Sequence, residues 1–210
     1  MLLLEVKMCA EVTSVELEEC SALFSAHYGM WGARGPRPGK HVTLTPARLR
    51  EACLFDDQCG VVLCRASGCG GMLLGHALFR RFTVDAVIHG AALRGPGVWI
   101  TQLVVAEGAR GQRLASTMLL QLCTRDVVAM GLLSSHPHAV RALAHACAKP
   151  CVRAWTTQVA SALARSAGVP YFRTTEICTE GGRCVARTDF FVDHAQVNAI
   201  LDAEPFELGP

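Results

Sequence analysis

Between Val98 and Ser134 the chain reads as strand, helix, strand, and two strands that flank one helix need a crossover connection. Val98 to Val105 is a mostly apolar run with the character of a continuous buried strand. An amphipathic helical pattern follows from about Arg110 to Val127, and Val128 to Ser134 is the next apolar strand candidate. A chain with such a unit has to cover a sheet with helices, which places it among the mixed α/β layer folds.

The rest of the sequence supplies the partners. Leu2 to Met8 reads as a first strand. Thr13 with Glu16 three residues on has the form of a capping box, so a helix is expected there, carrying Leu17, Leu23 and Phe24 and failing near Gly29 and Gly32. The stretch from Gly32 to Lys40, with Gly35, Gly39 and two prolines, reads as loop. Thr45-Pro46 then looks like an N-cap and first helical residue, with Leu49, Ala52 and Cys53 on one face. Val61 to Arg65 and Met72 to Val84 form a hairpin pattern around the turn Ser67 to Gly71, and Gly90 to Gly97 reads as a second loop. Beyond Ser134, helices are expected over Ala139 to Ala148 and Val152 to Ser166, interrupted at Pro150. A second hairpin follows, Phe172 to Cys178 with Cys184 to Val192 around Gly181-Gly182. A short helix near Ala195 to Asp202, with Asp193 as its cap, and a tail to Pro210 close the chain. Tight turns make the early strands antiparallel, so the expected sheet is mixed, mostly antiparallel and flanked by helices.

Length and composition fit one domain over residues 1–210 with no internal repeat. Of the residues 51% are apolar and 18% charged, enough to bury a core and too few charges for a disordered chain. The formal net charge of +2, with scarce lysine and dispersed arginine, gives no nucleic-acid footprint. Eleven cysteines, an odd number in a long chain, point to reduced thiols and a cytoplasmic setting; Met1 to Leu4 is interrupted by Glu5 and Lys7 before a signal core can form. No run of about 18 apolar residues occurs, so no membrane helix is expected. Cys147 and Cys151 near His138 and His145 match no closed zinc spacing, and Cys59, Cys64 and Cys69 recur at an interval that suits no metal knuckle. No metal is expected.

Chemistry concentrates in Gln102 to Ser116, where a buried strand runs through a short turn into a helix. Free amides and the positive dipole end of a helix N-terminus suit a pyrophosphate. Small residues at Gly111, Ala115 and Ser116 let a phosphate approach the backbone, and Arg110 adds a permanent cation. The same residues also serve as a plain capping turn, since most strand-to-helix junctions bind nothing.

This segment resembles the acyl-CoA signature of the GNAT superfamily of N-acetyltransferases, R/Q-x-x-G-x-G/A after a strand of the form L-x-V. Leu103 and Val105 take the L and V places, Arg110 the first signature position and Ala115 the last. Arg113 stands where the family has its central glycine. It either points away, adds a phosphate contact or blocks the site. Ser134-Ser135-His136-Pro137-His138 is similar to an element of a fungal-type, GNAT-like branch, and the order of elements fits the family over roughly Leu2 to Val192.

The resemblance implies a GNAT fold with splayed central strands forming an acyl-CoA cleft. Acetyl-CoA or another short acyl-CoA is the co-substrate, and attack by a primary amine is direct. Leu103, Val104, Val105, Arg110, Gly111, Gln112, Arg113, Leu114, Ala115 and Ser116 hold the acyl-CoA in this reading, with the Val105 amide polarising the thioester oxygen. Gln102 stands where many relatives carry a glutamate, and it can orient a water but not act as a base. Relatives also use a tyrosine in the helix after the splayed strand, and none lies between Tyr28 and Tyr171. His136 and His138 are the titratable substitutes. Tyr28 and Trp31 border the acceptor channel in the resemblance and pack the core in the plain reading. The acceptor, a small-molecule amine or a protein amine, stays open, as does the choice of monomer or homodimer. Two alternatives differ in class: a GNAT-fold binding or regulatory protein without turnover, and a redox-responsive thiol protein.

Overall fold

Capping signals place the first two helices. The Thr13 hydroxyl accepts from the Glu16 amide at 3.2 Å and the Glu16 carboxylate accepts from the Thr13 amide at 2.9 Å, so two amides of the first turn are satisfied reciprocally. The computed structural model describes residues 1–68, 71–88, 91–149, 153–181 and 183–203. Strand β1 is Leu2–Met8, helix α1 is Ser14–His27, and α2 is Pro46–Cys53, begun by Thr45 and Pro46. Strands β2 (Cys59–Ala66), β3 (Leu73–Ile88) and β4 (Ala91–Val105) follow, then α3 (Leu114–Leu120), β5 (Ala129–Leu132), α4 (Pro137–Ala146) and α5 (Arg153–Ala167). The chain ends in β6 (Glu176–Glu180), β7 (Arg183–Arg187) and α6 (Ala195–Ala203). The expected turn residues Cys69, Gly70, Gly90 and Gly182, the interruption at Pro150, Cys151, Val152 and the tail to Pro210 lie outside the described residues. Thr13→Ala is expected to cost about 1 kcal/mol, read as a lower urea midpoint at unchanged slope.

Five strands form one sheet in the order β1-β2-β3-β4-β5, antiparallel throughout except for the parallel pair β4 and β5. Leu17, Phe24, Leu49 and Cys53 from α1 and α2 pack on one face against Leu63, Leu78 and Val104. Leu114, Met118, Leu119 and Ala142 from α3 and α4 pack on the other against Val62, Phe79 and Ile100. Val159, Leu163 and Ala167 of α5 meet Val84 and Trp99 at the far end of β3 and β4. No helix among the described residues is long and apolar enough to cross a membrane.

Four expectations are corrected. The stretch expected as a loop at Gly90 to Gly97 is strand from Ala91 on, paired with β3 through Val84↔Gly95, Thr83↔Pro96 and Phe82↔Gly97. The glycines are there for close packing: a Cβ on Gly97 would meet the Phe82 ring at 2.6 Å, and one on Gly95 would meet Val128 at 2.8 Å. The helix expected from Arg110 begins only at Leu114, because Gly111 (φ +78°) and Arg113 (φ +60°) are left-handed, and it ends at Leu120. The second hairpin keeps only five residues in each strand and forms its own two-stranded sheet, while Pro170–Arg173 is a 3-10 turn. Last, α4 starts earlier than Ala139, with His136 as its N-cap and Pro137 as its first residue.

Candidate functional site

Along β4 the two edges differ. The β5 edge is paired only from Gly97↔Ala129 to Ile100↔Leu132, whereas the β3 edge is paired to Val105↔Gly75. The strands therefore part company after Ile100, and β4 continues alone on that side to Val105. A register shift opposite Leu78 and Phe79 leaves Thr101 as the extra residue and bends the strand at the point of departure. Ala106 donates to the Leu74 carbonyl at 2.8 Å, which fixes the alternation of the ladder. Residues Gln102 and Val104 turn their backbone groups to β3, so those of Leu103 and Val105 face the open side.

Past Val105 the chain makes a 3-10 turn, Glu107–Ala109, and reaches α3 through Arg110 to Arg113. Among the described residues no acceptor takes the N–H groups of Gly111, Gln112, Arg113, Leu114, Ala115 or Ser116, while Thr117 closes on the Arg113 carbonyl at 3.0 Å. Six consecutive amides, with left-handed residues at Gly111 and Arg113, make a concave run of donors of the kind that holds anions. Space above Gly111 is open, Gln112 and Arg113 are exposed, and Leu114 is buried against the sheet. Left-handed geometry is what a glycine adopts freely, and Arg113 adopts it with its side chain outward in solvent.

Arg110 points elsewhere than the start of α3. Its Nη2 donates to the His27 carbonyl at 2.6 Å and its Nε to the Val105 carbonyl at 3.4 Å, while the Glu107 amide donates to His27 Nδ1 at 3.4 Å. A cation at the last carbonyls of α1 complements the helix dipole and ties the turn to that helix. Its charge also reaches His136.

His136 sits at the other lip, where β5 gives way to α4. Its Nδ1 accepts from the His138 amide at 3.3 Å, its amide donates to Ser134 Oγ at 3.0 Å, and the two imidazoles lie 5.3 Å apart. Partial burial, then the charges of His138 and Arg110, lower its pKa below the ordinary histidine value. With Nδ1 taking the His138 amide, the neutral ring carries its proton on Nε2, and its one basic lone pair is the engaged Nδ1. His138 is exposed.

Gln102 is buried on the α1 face, its Oε1 bonded at 2.7 Å to Nε2 of His76. No motif singled out His76. It is wholly buried, Nδ1 has no partner, and burial pushes its pKa down to about 4. A lone histidine in the apolar first part of β3, Leu73 to Phe79, on the inward side of the alternation, was the only available sign of it.

A second hollow lies where residues 186–194 dock on the segment after α1. Bridges Met30↔His41 and Trp31↔Val192, with bonds from Gly32 to the Phe191 carbonyl at 2.9 Å and from Asp193 to the Met30 carbonyl at 2.8 Å, hold the two segments together. Between them is an open cavity of about 600 Å³, lined by Gly32 to Arg34, Ala186 to Thr188, Phe190 to Val192 and His194. The Phe190 ring meets Trp31 and Tyr28 edge-on at 5.0 and 6.0 Å, so these two aromatics pack against a residue of the lining. His194 Nδ1 is 3.1 Å from the hydroxyl of Ser135, which joins this cavity to the His136 lip. Among the described residues no cluster of histidine, cysteine or acidic side chains could hold a metal.

No protein-family profile matches the chain, and no curated protein matches it in sequence. Among solved structures it is similar to ribosomal-protein-alanine N-acetyltransferase from Brucella melitensis biovar Abortus 2308, at TM-score 0.39 and 16% identity over 64% of this chain and 80% of that one. It is also similar to the aminoglycoside 6'-N-acetyltransferase AAC(6')-Ih of Acinetobacter baumannii, at TM-score 0.43 and 9% identity over 64% and 80%. A third is the aminoglycoside acetyltransferase meta-AAC0020 from an uncultured soil metagenomic sample, in complex with sisomicin, at TM-score 0.43 and 11% identity over 63% and 77%.

Proposed function

We propose that residues 1–210 form a single GNAT-type N-acyltransferase domain that moves an acetyl or other short acyl group from CoA to a primary amine. The observation that carries this reading is the parting of β4 from β5 after Ile100, which leaves the backbone groups of Leu103 and Val105 facing an open gap. An extended pantetheine arm has amides spaced along its length and can add to that edge as a strand would. The amides from Gly111 to Ser116 then receive the pyrophosphate, and the exposed Arg113 side chain leaves them accessible.

Chemistry follows from the same placement. A thioester at the end of the pantetheine comes to the Val105 amide, which stabilises the charge that grows on its oxygen as the amine attacks. His136 is the candidate base for the amine, directly or through a water, once its Nδ1 is released by the His138 amide, and His138 beside it is the candidate acid for the departing thiolate. Collapse of the tetrahedral intermediate breaks the carbon–sulfur bond and releases the amide and CoA. Gln102 is held by His76 and serves the site by position. The protein works as a monomer or homodimer in the cytoplasm in this reading, and the Ser134 to His138 element aligns it with the fungal-type branch.

One observation favours binding without turnover: the residue at the glutamate place, Gln102, is buried and engaged with His76. Calorimetry and thermal unfolding with acetyl-CoA test both readings. At ligand a hundredfold above its dissociation constant the fold is expected to gain about 2.7 kcal/mol. No stabilisation at millimolar acetyl-CoA would sink both CoA readings, and binding without CoA release from any amine would leave only the second.

A further inference from the structure

The cavity between the loop after α1 and residues 186–194 is lined by two arginines, Arg34 and Arg187, together with His194, and by no carboxylate. Arg187 is committed to Glu176 and Glu180. Arg34 differs from Arg65, Arg80 and Arg94, which pair with Glu19, Asp56 and Asp85. Among the described residues it has no acidic partner, and its guanidinium lies over the Phe191 ring, 4.2 Å from the centroid.

The ring holds the guanidinium at the cavity, and its N–H groups suit a planar, two-oxygen partner. The backbone behind it is also fixed. Gly35 donates to the Gly32 carbonyl at 2.9 Å, and a Cβ on Gly35 would meet the Trp31 ring at 2.8 Å, so this turn closes only with glycine there. Phe190 and Val192 give the cavity an apolar wall, and His194 with its Nδ1 engaged by Ser135 keeps Nε2 for a ligand.

We propose that this cavity is the acceptor subsite and selects primary amines that carry a carboxylate and an apolar group, Arg34 being the carboxylate's partner. The proposal rests on the acyl-transfer reading for the role of the cavity, but not for its anion preference. L-phenylalanine and 2-phenylethylamine share amine and ring and differ by the carboxylate, so they serve as matched acceptors with acetyl-CoA. N-acetyl-L-phenylalanine serves as a binding probe that needs no turnover.

Wild-type protein is expected to bind N-acetyl-L-phenylalanine in calorimetry, with affinity about tenfold lower in Arg34→Ala and intermediate in Arg34→Lys, the scale of a charged hydrogen bond. It is expected to acetylate phenylalanine at least about tenfold faster than phenylethylamine at subsaturating acceptor, a preference that Arg34→Ala levels. Arg34 is exposed, so an unchanged melting temperature in both variants shows that the fold is retained. No probe binding at millimolar concentration, or equal binding by wild type and Arg34→Ala, would overturn the proposal. Acetylation of phenylethylamine as fast as phenylalanine would overturn it too, with acyl transfer intact. Probe binding that depends on Arg34 in a protein that ignores acetyl-CoA would keep the anion site and remove the acyl-transfer reading.

Discussion

Val105→Pro is expected to lower kcat for acetyl transfer by about 10²–10³-fold while the protein still folds and binds acetyl-CoA. Proline removes one backbone donor, and the ladder shows which one is lost. Because Ala106 bonds to Leu74, the Val105 N–H faces the open side and takes no part in pairing with β3. No sheet bond is broken, and Val104 before it is already extended, as the residue preceding proline must be. What disappears is the donor proposed for the thioester oxygen, whose contribution is greatest when that oxygen is charged. Val105→Ala keeps the donor and loses only the half-buried side chain, so it separates packing from catalysis. A proline variant with wild-type kcat would place oxyanion stabilisation elsewhere.

Acidification from pH 7 to about 4.5 is expected to remove on the order of 2 kcal/mol of stability through His76 alone. The folded-state pKa is depressed from 6.5 to about 4 by burial, against the opposing bond to Gln102. Between these values the unfolded chain binds a proton that the folded chain refuses, so stability is complete above about 6.5 and falls as pH drops toward 4. Urea unfolding at several pH values would read this as a slope, and His76→Gln would flatten it. Equal slopes in wild type and variant would mean that the folded state accommodates the charged ring. Carboxylates with lowered pKa, Glu16 through its bonds to Lys7 and Thr13 and Glu19 through Arg65, outweighing burial in each case, add their own losses at the acid end of the range.

What was legible in the sequence was local. The Thr13–Glu16 box, the Thr45-Pro46 start and the hairpin of β2 and β3 depend on residues that meet within a few positions, and each appears where expected. The strand-to-helix junction was legible as a turn into a helix for the same reason. Its details were not: the side chain of Arg110 goes to His27, 83 residues away, and only the fold brings α1 to that turn. Gly95 and Gly97 argued for a loop because glycine usually does, yet here the neighbours Val128 and Phe82 need its missing Cβ. The His76–Gln102 pair and the Arg34 cavity join residues 26 apart in one case and over 150 apart in the other, and no spacing rule covers either.

The order of the sheet bears on how the chain assembles. Strands β2, β3 and β4 form a meander of sequence neighbours, so their pairing closes short loops at small entropic cost. Strand β5 is different: it reaches β4 only after a crossover through α3, and only four residues of it pair. The gap beside Leu103 and Val105 thus acquires its second wall through the shortest pairing in the sheet. A ligand seated between those walls grips the element held most weakly. Its presence acts as a clasp on the native state, retarding the departure of β5, while leaving the zippering of the meander to proceed at its own pace.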